Sequence, residues 1–335
     1  MRPTFHPRLV NDAFGDPGLY VEFLFEKRAL LFDLGELRAL APRKLLRVSH
    51  VFVSHTHMDH FTGFDHLLRV CLGRDKRLSL FGPPGFAAQV EHKLAAYTWN
   101  LVQSYPADLT VEVTEAHPEG PALKIELHCR EAFQRKSCEA LLIKDGVLLD
   151  EHTLRVRAAF LDHKIPCLAF TLEEKQHVNI WKNRLEEMGL PVGPWLHELK
   201  QAVMQGAPDD TLFKVRQRMG DMVQEKSFPL RALKENILRI VPGQKITYVT
   251  DVIYHAANAK KIVDLAHDSD YLFIEATFLQ QDAAHAAAKY HLTAHQAGTL
   301  ARLSGAQRVI PFHFSPKYAG QEELLKQELQ SALSA

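Results

Sequence analysis

An apolar run from Val48 to Ser54 reads as a buried β-strand and passes directly into His55-Thr56-His57-Met58-Asp59-His60. No other feature constrains the chain as tightly. In extended backbone, residues two apart point to the same side, so His55 and His57 can both face one cation. Asp59 and the adjacent His60 can turn toward a second. Imidazole and carboxylate are the ligand set of Zn²⁺, with Mn²⁺ or Fe²⁺ as competitors. The plainer alternative is a histidine-rich surface loop, but ligand types at this spacing, immediately behind a strand, favour metal binding.

A two-metal centre needs further ligands from other strand ends. His163 follows the run Val156 to Leu161, Asp251 follows Ile246 to Thr250, and His313 follows Arg308 to Phe312. Each is a polar residue at the C-terminal end of an apolar run, where a layered α/β fold exposes functional groups. Singly, each reads more readily as a capping Asp or a partly buried His. Their recurrence beside the first cluster points to ligands.

The rest of the chain alternates strands and helices. Tyr20 to Phe25 and Ala29 to Asp33 read as a hairpin, and Phe64 to Leu72 has helical spacing. A strand–turn–helix unit follows in Leu78 to Phe81, Gly82-Pro83-Pro84-Gly85 and Phe86 to Ala96. Short strands between Leu109 and Leu172, including Leu141 to Ile143, suggest one meandering mixed sheet. Composition shifts at Glu173, and residues 173–245 read as an insertion, with helical spacing in Leu212 to Val223. Alternation then resumes through strand Ile246 to Thr250, helix Ala256 to Ala266, strand Tyr271 to Glu275, helix Thr293 to Leu303, strand Arg308 to Phe312 and helix Gln321 to Ser334.

The chain balances 40 Lys plus Arg against 40 Asp plus Glu, so nucleic-acid contact has to rest on a local patch and not on global charge. Cys71, Cys129, Cys138 and Cys167 form no C-x-x-C pair and read as reduced, mostly buried thiols. No apolar run approaches the ~20 residues that span a bilayer, and the polar opening does not resemble a signal peptide. A cytoplasmic protein without membrane partners is expected.

These residues carry a resemblance. From Leu31-Phe32-Asp33-Leu34-Gly35-Glu36 to His313-Phe314-Ser315-Pro316-Lys317-Tyr318, the sequence is similar to the metallo-β-lactamase superfamily. Within it, the chain resembles the short form of the ribonuclease Z (tRNA 3′-processing endonuclease) family. The more specific pieces are Leu161-Asp162-His163 before Ile165-Pro166, Glu275-Ala276-Thr277-Phe278, and His291-Leu292-Thr293 leading to Gln296-Ala297. Glu174-Lys175 through Gly189-Leu190-Pro191-Val192-Gly193-Pro194 resembles the arm by which that family grips the tRNA elbow.

The resemblance implies an α/β fold, the metallo-β-lactamase four-layer αβ/βα sandwich, spanning 1–335 with an inserted arm at about 173–245. It implies two divalent ions, zinc foremost: one held by His55, His57 and His163, a second by Asp59, His60 and His313, with Asp251 bridging. A hydroxide between the ions would attack the phosphodiester. His291, oriented by Glu275, would donate the leaving group's proton, with Asp59 joining the relay. The implied activity is removal of 3′ trailers from precursor tRNA by a homodimer. Other readings are a related phosphodiesterase acting on a small molecule or another nucleic acid, and a non-catalytic, metal-containing RNA-binding protein. Four features depart from the family pattern. The opening is Leu9-Val10-Asn11-Asp12-Ala13-Phe14-Gly15-Asp16-Pro17-Gly18, Asp251 lies in Thr250-Asp251-Val252, and Ile274 precedes Glu275 where the family commonly has a His. The distal arm, Gln201 to Leu238, is also unlike the usual connector, and the arm's 12 Lys plus Arg against 10 Asp plus Glu do not by themselves indicate RNA binding.

Overall fold

The computed structural model describes residues 4–24, 26–219 and 222–335. An eight-stranded sheet follows chain order: β1 (Phe5–Leu9), β2 (Leu19–Phe23), β3 (Ala29–Phe32), β4 (Val48–Phe52), β5 (Lys76–Gly82), β6 (Leu109–Glu115), β7 (Ala122–His128) and β8 (Arg135–Leu141). Strands β3 to β6 are parallel, and antiparallel pairs close both ends. Parallel neighbours require crossovers. Helices α1 (Pro42–Leu45), α2 (Met58–Phe61), α3 (Phe64–Cys71) and α4 (Phe86–Ala95) supply them. The buried positions of α3 are Phe64, Leu67, Leu68 and Cys71, the 3.6-residue stripe seen in the sequence. They pack with Val51, Leu78 and Val111 of the strands.

The chain continues through β9 (Val147–Asp150), β10 (Leu154–Asp162) and β11 (Pro166–Glu174). Next come β12 (His177–Ile180), α5 (Lys182–Glu187), α6 (Trp195–Met204), β13 (Leu212–Met219), β14 (Met222–Pro229), α7 (Leu230–Ile237) and β15 (Leu238–Val241). The last stretch holds β16 (Lys245–Val249), α8 (Ala256–Ala266), β17 (Tyr271–Glu275), α9 (Ala283–Lys289), α10 (Ala294–Ser304), β18 (Val309–Phe312) and α11 (Glu322–Ser334). The second large sheet has the order β18-β17-β16-β11-β10-β9, with β16, β17 and β18 mutually parallel.

Thr293 and Gln296 form a capping box at the start of α10. A Cβ on Gly298 would lie 2.3 Å from the Leu329 carbonyl, so glycine is what lets α10 and α11 approach. Ile262, Leu300, Leu325 and Leu329 cover Val249, Leu272 and Ile274 of the sheet. The uncovered faces of the two sheets meet through aromatic rings: Phe32 and Phe52 each lie 5.7 Å from Phe170, and Phe32 lies 6.1 Å from Tyr248. The resulting layer order is helix, sheet, sheet, helix, the four-layer αβ/βα sandwich.

Two compact units divide the chain, the larger one comprising Phe5–Leu149, Val156–Leu172 and Lys245–Ala335. The smaller contains Glu173–Gln244 with Thr4 and Asp150–Arg155. In it β12 pairs antiparallel with β15, and Val178, Leu185, Leu199, Leu233 and Ile237 form an apolar cluster. The buried Glu174 carboxylate accepts from the Thr4 hydroxyl (2.7 Å) and the Gln244 N–H (3.0 Å).

The structure corrects three expectations. Leu212 to Val223 is not helical: β13 and β14 pair from Leu212↔Pro229 to Met219↔Met222. Phe213 and Val215 alternate with Lys214 and Arg216, and this period of two prevails over the helical spacing. The short strands between Leu109 and Leu172 do not make one sheet, because the chain changes sheets between Leu141 and Val147. Local pattern does not report which partner a strand meets. Of the strand expected at Leu141 to Ile143, only Leu141 is in a strand, as the last residue of β8. Cys71, Cys129 and Cys167 are buried, whereas Cys138 is exposed on the edge strand β8. Among the described residues, no helix is long and apolar enough to cross a membrane.

Candidate metal centre and proton-donor pair

Parallel strands release their C-terminal residues along one sheet edge. In the first sheet, β3 delivers Asp33 and β4 delivers Ser54, His55 and His57, with Asp59 and His60 following on α2. In the second, Asp251 follows β16, Glu275 ends β17 and His313 follows β18, while His163 follows β10. His163 is turned inward by a tight loop in which its N–H donates to the Ile165 carbonyl (3.0 Å) and Lys164 has φ of 65°.

The expected site residues converge in three overlapping groups, the potential ligand atoms of each lying within 4.8 Å of one another. One holds His55, His57, His163 and Asp251; another Asp59, His60 and His313; a third Asp251, Glu275, His291 and His313. Asp251 is common ground. Its Oδ2 lies 3.6 Å from His55 Nε2, 3.5 Å from His60 Nε2 and 3.5 Å from His163 Nε2, and its Oδ1 lies 3.0 Å from His313 Nδ1. Asp59 Oδ2 lies 3.4 Å from His60 Nε2 and 3.3 Å from His313 Nε2.

Supporting hydrogen bonds orient the rings. His163 Nδ1–H donates to the Tyr290 carbonyl (2.8 Å), which leaves the Nε2 lone pair facing Asp251. His60 Nδ1 meets Asp33 Oδ2 at 2.9 Å, again freeing Nε2. Asp33 is fully buried; its Oδ1 accepts from the Ser54 N–H (2.6 Å), and its Oδ2 from the Ser54 and Tyr248 hydroxyls (2.9 Å each). His291 Nδ1 lies 2.8 Å from Glu275 Oε2, and Glu275 Oε1 accepts from the Val252 N–H at 2.7 Å. The Thr277 hydroxyl also donates to Glu275.

Burial, aided by His60, pushes the His55 imidazole down to about 2, and burial with His163 lowers His57. Burial also disfavours charge on the remaining groups, but their partners override it. Asp251 and Asp33 raise His60 well above its ordinary value, and Asp251 lifts His313 to about 10. His313 and His60 in turn hold the carboxyls of Asp59 and Asp251 below theirs. Against its own burial, His291 is raised by Glu275.

The donor set fits divalent cations. His55 Nε2, His60 Nε2 and His313 Nδ1 are buried without a hydrogen-bond partner, though each faces the Asp251 carboxylate. Buried polar atoms normally find partners. Lone-pair nitrogens converging with carboxylate oxygens on shared points are the arrangement that transition-metal ions satisfy. The sequence did not single out Asp33, Ser54, Cys167, Tyr248, Thr277 or the Tyr290 carbonyl as site groups. Asp33 carried the same signal as Asp251, an acid directly after an apolar run. Cys167, whose Sγ lies 3.7 Å from His55 Nδ1, carried none.

A profile described as a beta-lactamase superfamily domain matches residues 16–131. A ribonuclease Z of Deinococcus radiodurans is 33% identical over 293 residues, covering 86% of this chain and 83% of that protein. The chain belongs to the ribonuclease Z family. A ribonuclease Z of Limosilactobacillus reuteri is 27% identical over 311 residues, covering 90% of this chain and 82% of that one. Among solved structures, the short form of human tRNase Z matches with a TM-score of 0.51 at 18% identity, covering 94% of this chain and 93% of that one. The metallo-beta-lactamase fold protein YhfI of Bacillus subtilis matches at 0.55 and 13%, covering 98% and 93%. At such identities the two structures speak for the fold, which is the metallo-β-lactamase fold. As a ribonuclease Z family member with these ligand groups, the chain is a metal-dependent hydrolase.

Proposed function

We propose that this chain is an endoribonuclease that removes 3′ trailers from precursor tRNA. The observation that carries the reading is one buried carboxylate, Asp251, shared by four imidazoles and adjoining the His291–Glu275 pair. Curated relatives named ribonuclease Z support the substrate class. In this reading His55, His57 and His163 would hold one ion and Asp59, His60 and His313 the other, with Asp251 available to both. Two divalent ions, zinc first with Mn²⁺ or Fe²⁺ as alternatives, would supply Lewis acidity and a strong oxygen nucleophile at neutral pH.

The chain's own residues then have separable tasks. Asp33 and the Tyr290 carbonyl keep His60 and His163 in the tautomers that present Nε2. Glu275 accepts from His291 Nδ1–H and so favours the doubly protonated ring, whose Nε2–H gives its proton to the departing 3′ oxygen of the tRNA as the P–O bond breaks. Asp59, hydrogen-bonded to His313 Nε2 at 3.3 Å, joins that relay. The 5′ phosphate stays with the trailer and a 3′ hydroxyl with the tRNA.

The unit built on Glu173–Gln244, with its Gly189–Pro194 turn between α5 and α6, is the proposed RNA-gripping arm. We place it in a homodimer, for which light scattering at micromolar concentration should give twice the 38.0 kDa chain mass. The deciding assay incubates the zinc-loaded chain with a 3′-extended precursor tRNA and maps the ends. Trailer release with a 3′ hydroxyl supports the reading. Turnover of a small aryl phosphodiester with the precursor left intact would instead assign a small-molecule phosphodiesterase. Inactivity on both would favour a non-catalytic RNA-binding protein.

A further inference from the structure

His313 has a left-handed backbone, φ 58°, which a side-chain-bearing residue adopts only where its surroundings impose it. On its N-terminal side, Phe312 is held by the β17–β18 pairing and accepts the Ala276 N–H at 3.0 Å. On its C-terminal side the restraint comes from far away in sequence. The Phe314 N–H donates to the Ala13 carbonyl (2.7 Å), and the Phe314 ring meets Phe14 edge-on at 5.5 Å.

The loop that carries Ala13 and Phe14 is itself rigidly built. Asp12 Oδ1 accepts from the Phe14 and Gly15 N–H groups at 3.0 and 2.9 Å. Asn11 Nδ2 donates to the Asp16 and Glu36 carbonyls at 2.9 Å each, and the Val10 N–H to the Gly18 carbonyl at 2.8 Å. The other flank of this loop rests on Gly35, whose N–H donates to the Pro17 carbonyl at 3.0 Å. A Cβ on Gly35 would stand 2.5 Å from both Asp16 Cβ and the Pro17 carbonyl and 2.8 Å from the Asp59 carbonyl. The Leu34 N–H next to it donates to the His60 carbonyl at 2.8 Å. One loop therefore bears, through Leu34 and Gly35, on the backbone that carries Asp59 and His60, and directly touches the backbone that follows His313.

We propose that the loop Asn11–Gly18 is the positioning element for the Asp59, His60 and His313 half of the centre, spacing those groups for one metal ion while leaving the His55, His57 and His163 half to the strand ends. The inference rests on the two-ion reading above. Phe14 and Ala13 are positioning residues: they touch Phe314, not the ion.

The test is a zinc titration of the full-length chain against a chromophoric chelator, with metal per chain measured by atomic emission. The wild-type chain should hold two ions. Phe14→Ala should keep one at wild-type affinity and bind the other on the order of ten-fold or more weakly, the usual scale for outer-sphere changes. Phe14→Tyr, which retains the ring, should restore the second ion. Asp12→Ala loosens the loop turn without touching the apolar core, and it should give the same selective loss in smaller measure. It decides the matter should Phe14→Ala fail to fold. Two tightly held ions in Phe14→Ala or Asp12→Ala, or equal weakening of both ions in a folded variant, would overturn the inference. A wild-type chain that binds fewer than two ions would overturn the two-ion reading and this inference with it, whereas two ions in wild type with unaltered variants would overturn the inference alone.

Discussion

Asp33→Asn separates the support of the centre from the support of the fold. Asp33 is fully buried and takes four hydrogen bonds: the Ser54 N–H at Oδ1, and the Ser54 hydroxyl, the Tyr248 hydroxyl and His60 Nδ1 at Oδ2. In the asparagine variant the remaining oxygen still accepts from the Ser54 N–H, but an NH₂ replaces the other. Its two protons can serve one hydroxyl, rotated to accept, and His60. His60 can accept only by moving its proton from Nδ1 to Nε2, and Nε2 is the atom that faces Asp59 and Asp251 at 3.4 and 3.5 Å. Exchanging charge-assisted for neutral hydrogen bonds should cost about 1–3 kcal/mol of stability. Blocking the Nε2 lone pair should weaken one metal ion ~10–100-fold. Thermal unfolding and chelator competition on the same sample read the two effects separately. Asp33→Asn protein that binds both ions as tightly as wild type would refute the assignment of His60 Nε2 as a ligand and of Asp33 as the residue that sets its tautomer. Asp33→Ala, by contrast, strands every donor at once and should unfold the domain.

Three further outcomes follow from the same contacts. Glu275→Gln should retain both ions and near-wild-type KM for precursor tRNA while kcat falls ~10²–10⁴-fold, because it impairs a proton donor and no ligand; steady-state kinetics with metal analysis checks this. Phe170→Ala opens a cavity where Phe32 and Phe52 meet between the sheets, and should lower stability by about 3–5 kcal/mol in a denaturant titration, with metal stoichiometry unchanged. Glu112 is opposed by its own burial but held below its ordinary value by Lys124 and Arg77. Its ion pairs therefore stabilise the folded chain above the unfolded-state value and fade as pH falls through the folded one. Glu112→Gln should cost up to ~1 kcal/mol at pH 7 and nothing in strong acid, as chemical denaturation across the pH range would reveal.

Much of the candidate centre was legible in one dimension because the residues proposed to hold the ions obey a local rule. An apolar run long enough to be a buried strand, followed by His or Asp, marks the C-terminal edge of a sheet, and His55, His163, Asp251 and His313 all stand there. Asp33 obeyed the rule and was read only as part of a longer motif. The β13–β14 hairpin was misread because Leu212 to Val223 satisfies two periodicities, and only cross-strand pairing selects one. The division of β6 to β11 between two sheets left no local trace at all, since a strand's pattern records which of its faces are buried and not what covers them.

The order of residues alone determined which side chains this protein brings to strand ends, and so the chemistry open to it: imidazoles and carboxylates suited to hard and borderline cations, with a His–Glu pair in reserve. Whether residues as far apart as His55 and His313 share one carboxylate was decided by tertiary structure, through the parallel alignment of β3 to β5 and of β16 to β18. The same is true of the left-handed backbone at His313, which the Asn11–Gly18 loop holds from nearly the whole length of the chain away. Strand propensity and ligand type are properties of short segments. Distances of three to four ångströms between segments exist only once the two sheets have packed.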